Sequence, residues 1–177
     1  MKRRGFFYVG TTIALLLFIH CAFVLVLGTG PLQLATAGYF RQQLRTRMSL
    51  ARRRWQQHQV REYEIGVTFT NVSPIWFVCR GTGPVTLQVR DGVVVEAVGY
   101  DLDTCGEIYQ SLTINAMFNR VAADIESYDP LKSDLHVKFD PEWGYVAKYR
   151  IENNQPIWSA IADAFSQVEI HEFRPLP

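Results

Sequence analysis

The stretch LHVKFDPEWGYVAKYRI, residues 135–151, decides the fold. Leu135, Val137 and Phe139 alternate with His136 and Lys138, and Tyr145, Ala147, Tyr149 and Ile151 alternate in the same way. A two-residue period marks strands that bury one face. Between them, Asp140-Pro-Glu-Trp-Gly144 carries the chemistry of a turn. An Asp side chain can accept from its own backbone, Pro141 presets φ, and Gly144 can take φ > 0. The segment is therefore read as an antiparallel hairpin, with Asp140 and Glu142 serving the turn rather than acid–base chemistry. Trp143 is not explained by a turn. It either folds back over the sheet or meets a partner.

The same period runs outward from this hairpin. Tyr63, Ile65, Val67 and Phe69 alternate, Ile75 to Arg80 is a second run, and Val85, Leu87 and Val89 alternate in a third. Asp91-Gly92 is the residue pair of a tight hairpin turn, from which Val93 to Tyr100 returns. Over residues 113–128 the period switches. Ile114, Met117, Phe118, Val121, Ile125 and Tyr128 form one face of an amphipathic helix that Asp129-Pro130 ends. A short helix is predicted over 156–165 and a last strand from Val168 to Arg174. The expected fold class is α+β: a mostly antiparallel β-sheet with one packed amphipathic helix, preceded by a transmembrane helix and a basic helical stalk.

The front of the 177-residue chain has a different composition. Residues 6–27 carry no charge, and as a helix they would span about 33 Å, enough to cross a bilayer core. A cleaved signal peptide is the competing reading, supported by Ala35-Thr-Ala37, but its apolar core would be shorter. Lys2, Arg3 and Arg4 before the run place the N-terminus inside. Within the run, His20 is read as lying near one end of the span or facing a neighbouring helix. Beyond the Gly28-Thr-Gly-Pro31 break, Phe40, Leu44, Met48, Ala51 and Trp55 recur at helical spacing among arginines and glutamines. The expected organisation is an anchor over 1–30, a stalk over 31–60 and a body over 61–177. The first 61 residues hold ten basic residues and no acidic one; the remaining 8 basic and all 17 acidic residues fall in 62–177, a net of −9. A basic front joined to an acidic body suits an anionic headgroup layer or an acidic partner at the front, and a body that stays in water. Nucleic acid is not an expected partner. The stalk stripe either packs on the body or leaves its first turns free for a partner.

The motifs of most catalytic and cofactor chemistries are missing. Neither GTGP string, at 28 and 81, continues into a phosphate-binding Lys-Ser/Thr pair. The four histidines fall in four different elements, and there is no Cys-x-x-Cys. Asp101-Leu-Asp103-Thr-Cys105-Gly106 opens like a calcium loop but has Cys105 at its fifth position and Leu112 at its twelfth. No catalytic residue, metal ligand or cofactor is expected. Cys79 and Cys105 are the only body cysteines. Outside the cytoplasm they can pair, closing a loop of about 25 residues; otherwise they are two free thiols.

Taken in order, Trp55, Tyr63, Cys79, Pro84-Val-Thr-Leu-Gln-Val-Arg-Asp-Gly92, Phe118 and Phe139-Asp-Pro-Glu-Trp-Gly-Tyr145 resemble a family of bacterial extracytoplasmic domains of unknown function, found in lipoproteins and membrane-anchored proteins. The resemblance covers about residues 50–174. Gly81 stands where that family often has a second cysteine, and Val146 where its Gly-Tyr usually continues into Pro. The resemblance brings no catalytic residue. The anchor, the charge split and the absent catalytic motifs point to a non-catalytic membrane-anchored accessory subunit of a larger membrane assembly, a respiratory or photosynthetic electron-transfer complex being one kind of host. The alternative is a stand-alone extracytoplasmic module for a small ligand, peptide or envelope component. Expected partners are integral membrane subunits and anionic head groups, and the expected location is the cell membrane, single-pass, with the body outside. Trp143, Arg41, Arg45 and Arg52 are the candidate partner contacts.

Overall fold

The computed structural model describes residues 13, 15–19, 21, 22, 31–71, 79, 84–129, 133–153 and 165–177. Its elements are α1 (Pro31–Gln57), β1 (Glu62–Asn71), β2 (Val85–Arg90), β3 (Val93–Ala97), α2 (Leu102–Gln110), α3 (Ile114–Ser127), β4 (Ser133–Phe139), β5 (Val146–Asn153) and β6 (Phe165–Pro175). The chain divides into two compact units, Met1–Gln42 and Gln43–Pro177, with the boundary inside α1.

In the second unit the alternating runs become a six-stranded sheet in the order β3-β2-β1-β6-β5-β4, every pairing antiparallel. The odd residues of β1, Tyr63, Ile65, Val67 and Phe69, are at most 3% exposed, so this strand is the centre of the core. Asp91 and Gly92 both take positive φ, 48° and 81°, which the tight β2–β3 turn requires. The edge at β3 is closed by a side chain. Gln110 accepts from Val94 N–H and donates to the Gly92 carbonyl, removing backbone groups another strand could pair with.

α3 presents Ile114, Met117, Phe118, Val121 and Ile125, all fully buried, to the inner face of the sheet. Thr113 caps its first turn by accepting from Ala116 N–H. Tyr128 lies one residue beyond this helix, half-buried, as its C-cap. The outer face is polar and solvated, crossed by ion pairs such as Lys148–Glu169 at 2.9 Å and Arg174–Glu64 at 2.7 Å. Burial of one face alone is what the two-residue period encodes.

Two expectations change. The sheet carries more than one helix: Asp101 to Cys105, read as a loop, opens α2. Asp101 caps it, accepting from Asp103 N–H and the Thr104 hydroxyl, and the hydroxyl chiefly holds its carboxyl below the usual range. In β5 the alternation slips. Phe139 pairs with Val146 and Lys138 with Lys148, so Ala147 is an extra bulged residue and Val146, 1% exposed, takes the inner face instead. No helix of the described residues is long and apolar enough to cross a membrane; most of 6–27, where the span is expected, lies outside those residues. The run 75–80 apart from Cys79, and the helix expected over 156–165 apart from Phe165, also lie outside them; Cys79 has helical backbone and Phe165 opens β6.

Candidate functional site

The β4–β5 turn is built from its own residues and then locked onto α1. Asp140 Oδ1 accepts from the N–H groups of Glu142 and Trp143 at 2.9 and 2.7 Å, and the Gly144 N–H returns to the Asp140 carbonyl at 3.1 Å. Two carbonyl oxygens of the turn face α1, and both are used. The Arg54 guanidinium donates to the Pro141 carbonyl at 2.6 Å, and His58 Nε2 donates to the Glu142 carbonyl at 3.2 Å. Gly144 sits at φ +85° directly on the helix backbone; a Cβ there would lie 2.3 Å from the Ala51 carbonyl oxygen. A side chain of any size is excluded, so glycine is needed twice, for conformation and for approach.

Trp143 folds back. Its ring lies 4.4 Å from that of His58 and 4.9 Å from that of Phe173, and it remains half-buried. Phe173 in turn meets Trp55, Tyr63 and Tyr145 at 5.7, 5.9 and 5.1 Å. One aromatic cluster thus runs from the buried Trp55 and Tyr63 to the surface at Trp143 and His58. Burial pushes the Tyr63 phenol up to about 12, although its oxygen accepts from Ile114 N–H, and burial with the nearby Asp140 charge does the same to Tyr145.

Beside this cluster a cleft of about 530 Å³ is lined by residues 58–62, Trp143 and the tail Pro175, Leu176 and Pro177. It offers an indole, the prolines and Leu176 as apolar wall, and His58, Gln59 and Arg61 as polar rim. Gln59 has φ +53° at the end of α1, a conformation glycine usually fills at helix ends. The sequence pattern marks none of His58, Gln59 or Arg61. Only their position just after the helical stripe places them near a helix end.

The remaining candidates separate. Arg45 pairs with Glu126, Nε to Oε1 at 2.9 Å, and Arg52 donates to Asn119 at 2.9 Å with its guanidinium 5.6 Å above the Phe118 ring. Both therefore reach from α1 to α3. Arg41 belongs to the first unit and is half-buried, its Nε without a hydrogen-bond partner among the described residues. Cys79 and Cys105 are joined by a disulfide, 26 residues apart, and the Tyr109 hydroxyl donates to the Cys79 carbonyl beside it. Cys21 is a free, exposed thiol. Among the described residues no three His, Cys, Asp or Glu side chains converge to hold a metal ion.

The order of Trp55, the disulfide cysteines, the Asp91-Gly92 hairpin, α3 and the Gly144 turn falls within one family's span. A model described as a family of unknown function, DUF6174, matches residues 47–173. The chain belongs to this family. No curated protein and no solved structure matches it significantly. The DUF6174 region begins inside α1 and ends at Phe173, so it takes in the whole aromatic cluster and both partners of the Gly144 contact.

Proposed function

We propose that the chain is a membrane-tethered, non-catalytic accessory subunit of a larger membrane assembly, with its DUF6174 body outside the cytoplasm. The observation that carries this reading is the pairing of a 22-residue uncharged run with a body tied by Cys79–Cys105. A disulfide persists in an oxidising compartment, and an uncharged run of that length is what a bilayer takes. Ile13, Leu15, Leu16, Leu17, Phe18 and Ile19 are helical and all at least 43% exposed, a large apolar surface that lipid would cover. In this reading the family's other members are extracytoplasmic and bacterial too. The host is an assembly such as a respiratory or photosynthetic complex, to which this subunit supplies contacts. Purification of the tagged chain in mild detergent tests it. Co-purifying integral membrane subunits are expected; a monodisperse lone monomer overturns it.

The cleft at Trp143 favours a second reading, a stand-alone binding module for a peptide or envelope component. Its volume lies in the range of ligand sites. In that case the purified monomer would shift its tryptophan emission on adding the ligand, and Trp143→Phe would remove the shift.

A further inference from the structure

α1 points its arginines in two directions. Arg45, Arg52 and Arg54 reach the body, at Glu126, Asn119 and the Pro141 carbonyl. Leu50, 55% exposed, stands about 140–160° round the helix from Arg45 and Arg52, and about 40° from Arg54. At 100° per residue Arg47 lies about 60° to one side of it and Arg53 about 60° to the other. Both arginines are exposed, and neither has an ion-pair or hydrogen-bond partner among the described residues. No carboxylate occurs anywhere in the first 61 residues to offset them. Apart from Arg54, which reaches back to the β4–β5 turn, the body leaves a leucine-centred cationic face on α1.

We infer that this face, Arg47–Leu50–Arg53, rests on the anionic headgroups of a bilayer. The inference depends on the tethered reading above and adds what the tether alone does not specify. Only residues 28–30 separate the apolar run from the first residue of α1, a reach of no more than about 15 Å. So short a leash turns docking of α1 into an intramolecular event, and weak contacts then suffice. Each arginine near an anionic leaflet favours the bound state about fivefold, and the two together about 30-fold. Leu50 between them adds shallow apolar burial at the headgroup boundary, the arrangement of an interfacial helix. An acidic protein surface would satisfy the same three residues, but the short link to an uncharged apolar run puts a bilayer within reach of α1.

The test uses the full-length chain with Cys21→Ser and Leu50→Cys, leaving one free thiol while Cys79–Cys105 stays oxidised. An environment-sensitive fluorophore on position 50 is read in nanodiscs of mixed phosphatidylglycerol and phosphatidylcholine, and of phosphatidylcholine alone. In the anionic discs the label is expected to shift to the blue and to resist an aqueous quencher. High salt, neutral lipid or Arg47→Gln/Arg53→Gln should return it to water, the double variant lowering the bound-to-free ratio about 30-fold. Because neither arginine touches the body, the double variant should keep the parent's thermal midpoint. A chain that enters anionic discs with its label still in water overturns this inference alone, as does protection indifferent to lipid charge or to the double variant. Failure to enter any disc overturns the tethered reading and this inference with it. Protection that appears only when an acidic host subunit is added assigns the face to protein and also overturns it.

Discussion

Gly144→Ala should be among the most damaging small substitutions in the chain. Two costs add. At φ +85° an L-residue sits in the left-handed region, which costs about 1–2 kcal/mol. The new methyl would also lie 2.3 Å from the Ala51 carbonyl oxygen, 3.0 Å from Arg54 Cβ and 3.1 Å from the Trp55 nitrogen. Two of those three atoms are helix backbone and cannot step aside without opening α1. Overpacking of this kind typically costs about 1–3 kcal/mol. If the turn lifts away instead, the Arg54–Pro141 and His58–Glu142 hydrogen bonds and the Trp143 packing are lost, a penalty of similar size. The sum is about 2–5 kcal/mol against a total stability of about 5–15 kcal/mol for a domain.

Equilibrium urea unfolding of the full chain in detergent, followed by tryptophan emission, measures this as a lower midpoint at unchanged slope. Gly106→Ala is the control. Gly106 lies inside α2 without a positive φ, and a Cβ added there would meet nothing within 4 Å, so alanine should be neutral or stabilise by up to about 1 kcal/mol. If Gly144→Ala is as mild as Gly106→Ala, the close approach of the turn to α1 does not exist in solution and the placement of α1 is refuted.

Other expectations follow from single features. Replacing Cys79 and Cys105 by serine should lower stability by about 3.5 kcal/mol, from the loop entropy of 26 residues, and a denaturation midpoint insensitive to reductant would contradict the bridge. Gln59→Gly should stabilise by up to about 1 kcal/mol by relieving its φ of +53°; a destabilised variant would mean the side chain does more than cap the helix. Tyr63, Tyr109 and Tyr145 are raised from 10.0 to about 12, so each holds its proton more tightly folded than unfolded. Their contribution is complete below pH 10 and is lost as pH rises toward 12, on the order of 3 kcal/mol for Tyr63 alone. Absorbance titration at alkaline pH should therefore show a late tyrosine step coincident with unfolding, and full ionisation near pH 10 in the folded chain would exclude it.

How far the sequence reaches depends on which interactions are local. The strands at 63–69, 85–89 and 135–139, the Asp91-Gly92 hairpin, the face of α3 and the Leu44–Ala51–Trp55 stripe follow from period and turn residues, because burial on one face acts on neighbours along the chain. α2 is hidden because its nine residues give little more than two turns, with Gly106 inside and a carboxylate pattern that also reads as a loop. Simple alternation puts Ala147 on the wrong phase, because a bulge is set by the partner strand and not by the strand's own period. The cleft is not legible at all. Its residues come from the end of α1, the β4–β5 turn and the tail, three segments far apart in the chain. Phe173 at the centre of the aromatic cluster looks like one more strand residue, since only its partners give it that role.

The division of α1 changes what the basic front can mean. Residues from Gln43 onward belong to the same compact unit as the sheet, and the DUF6174 match starts at residue 47, so the second half of the helix is part of the family fold rather than a spacer. Arg45, Arg52 and Arg54 then belong to the architecture: each reaches a group on α3 or on the β4–β5 turn. Their cost in an exposed location is small and so is their return, about 0–1 kcal/mol for a pair such as Arg45–Glu126 with both side chains more than 40% exposed. What fixes α1 must therefore be the buried Trp55 and the Gly144 contact, not its charges. The charges left over in this second half of the helix, Arg47 and Arg53, are free of that task and remain for a second surface. Loss of function from Arg47→Glu/Arg53→Glu with an unchanged unfolding midpoint, set beside loss of both from Gly144→Ala, would separate the surface role of α1 from its structural one.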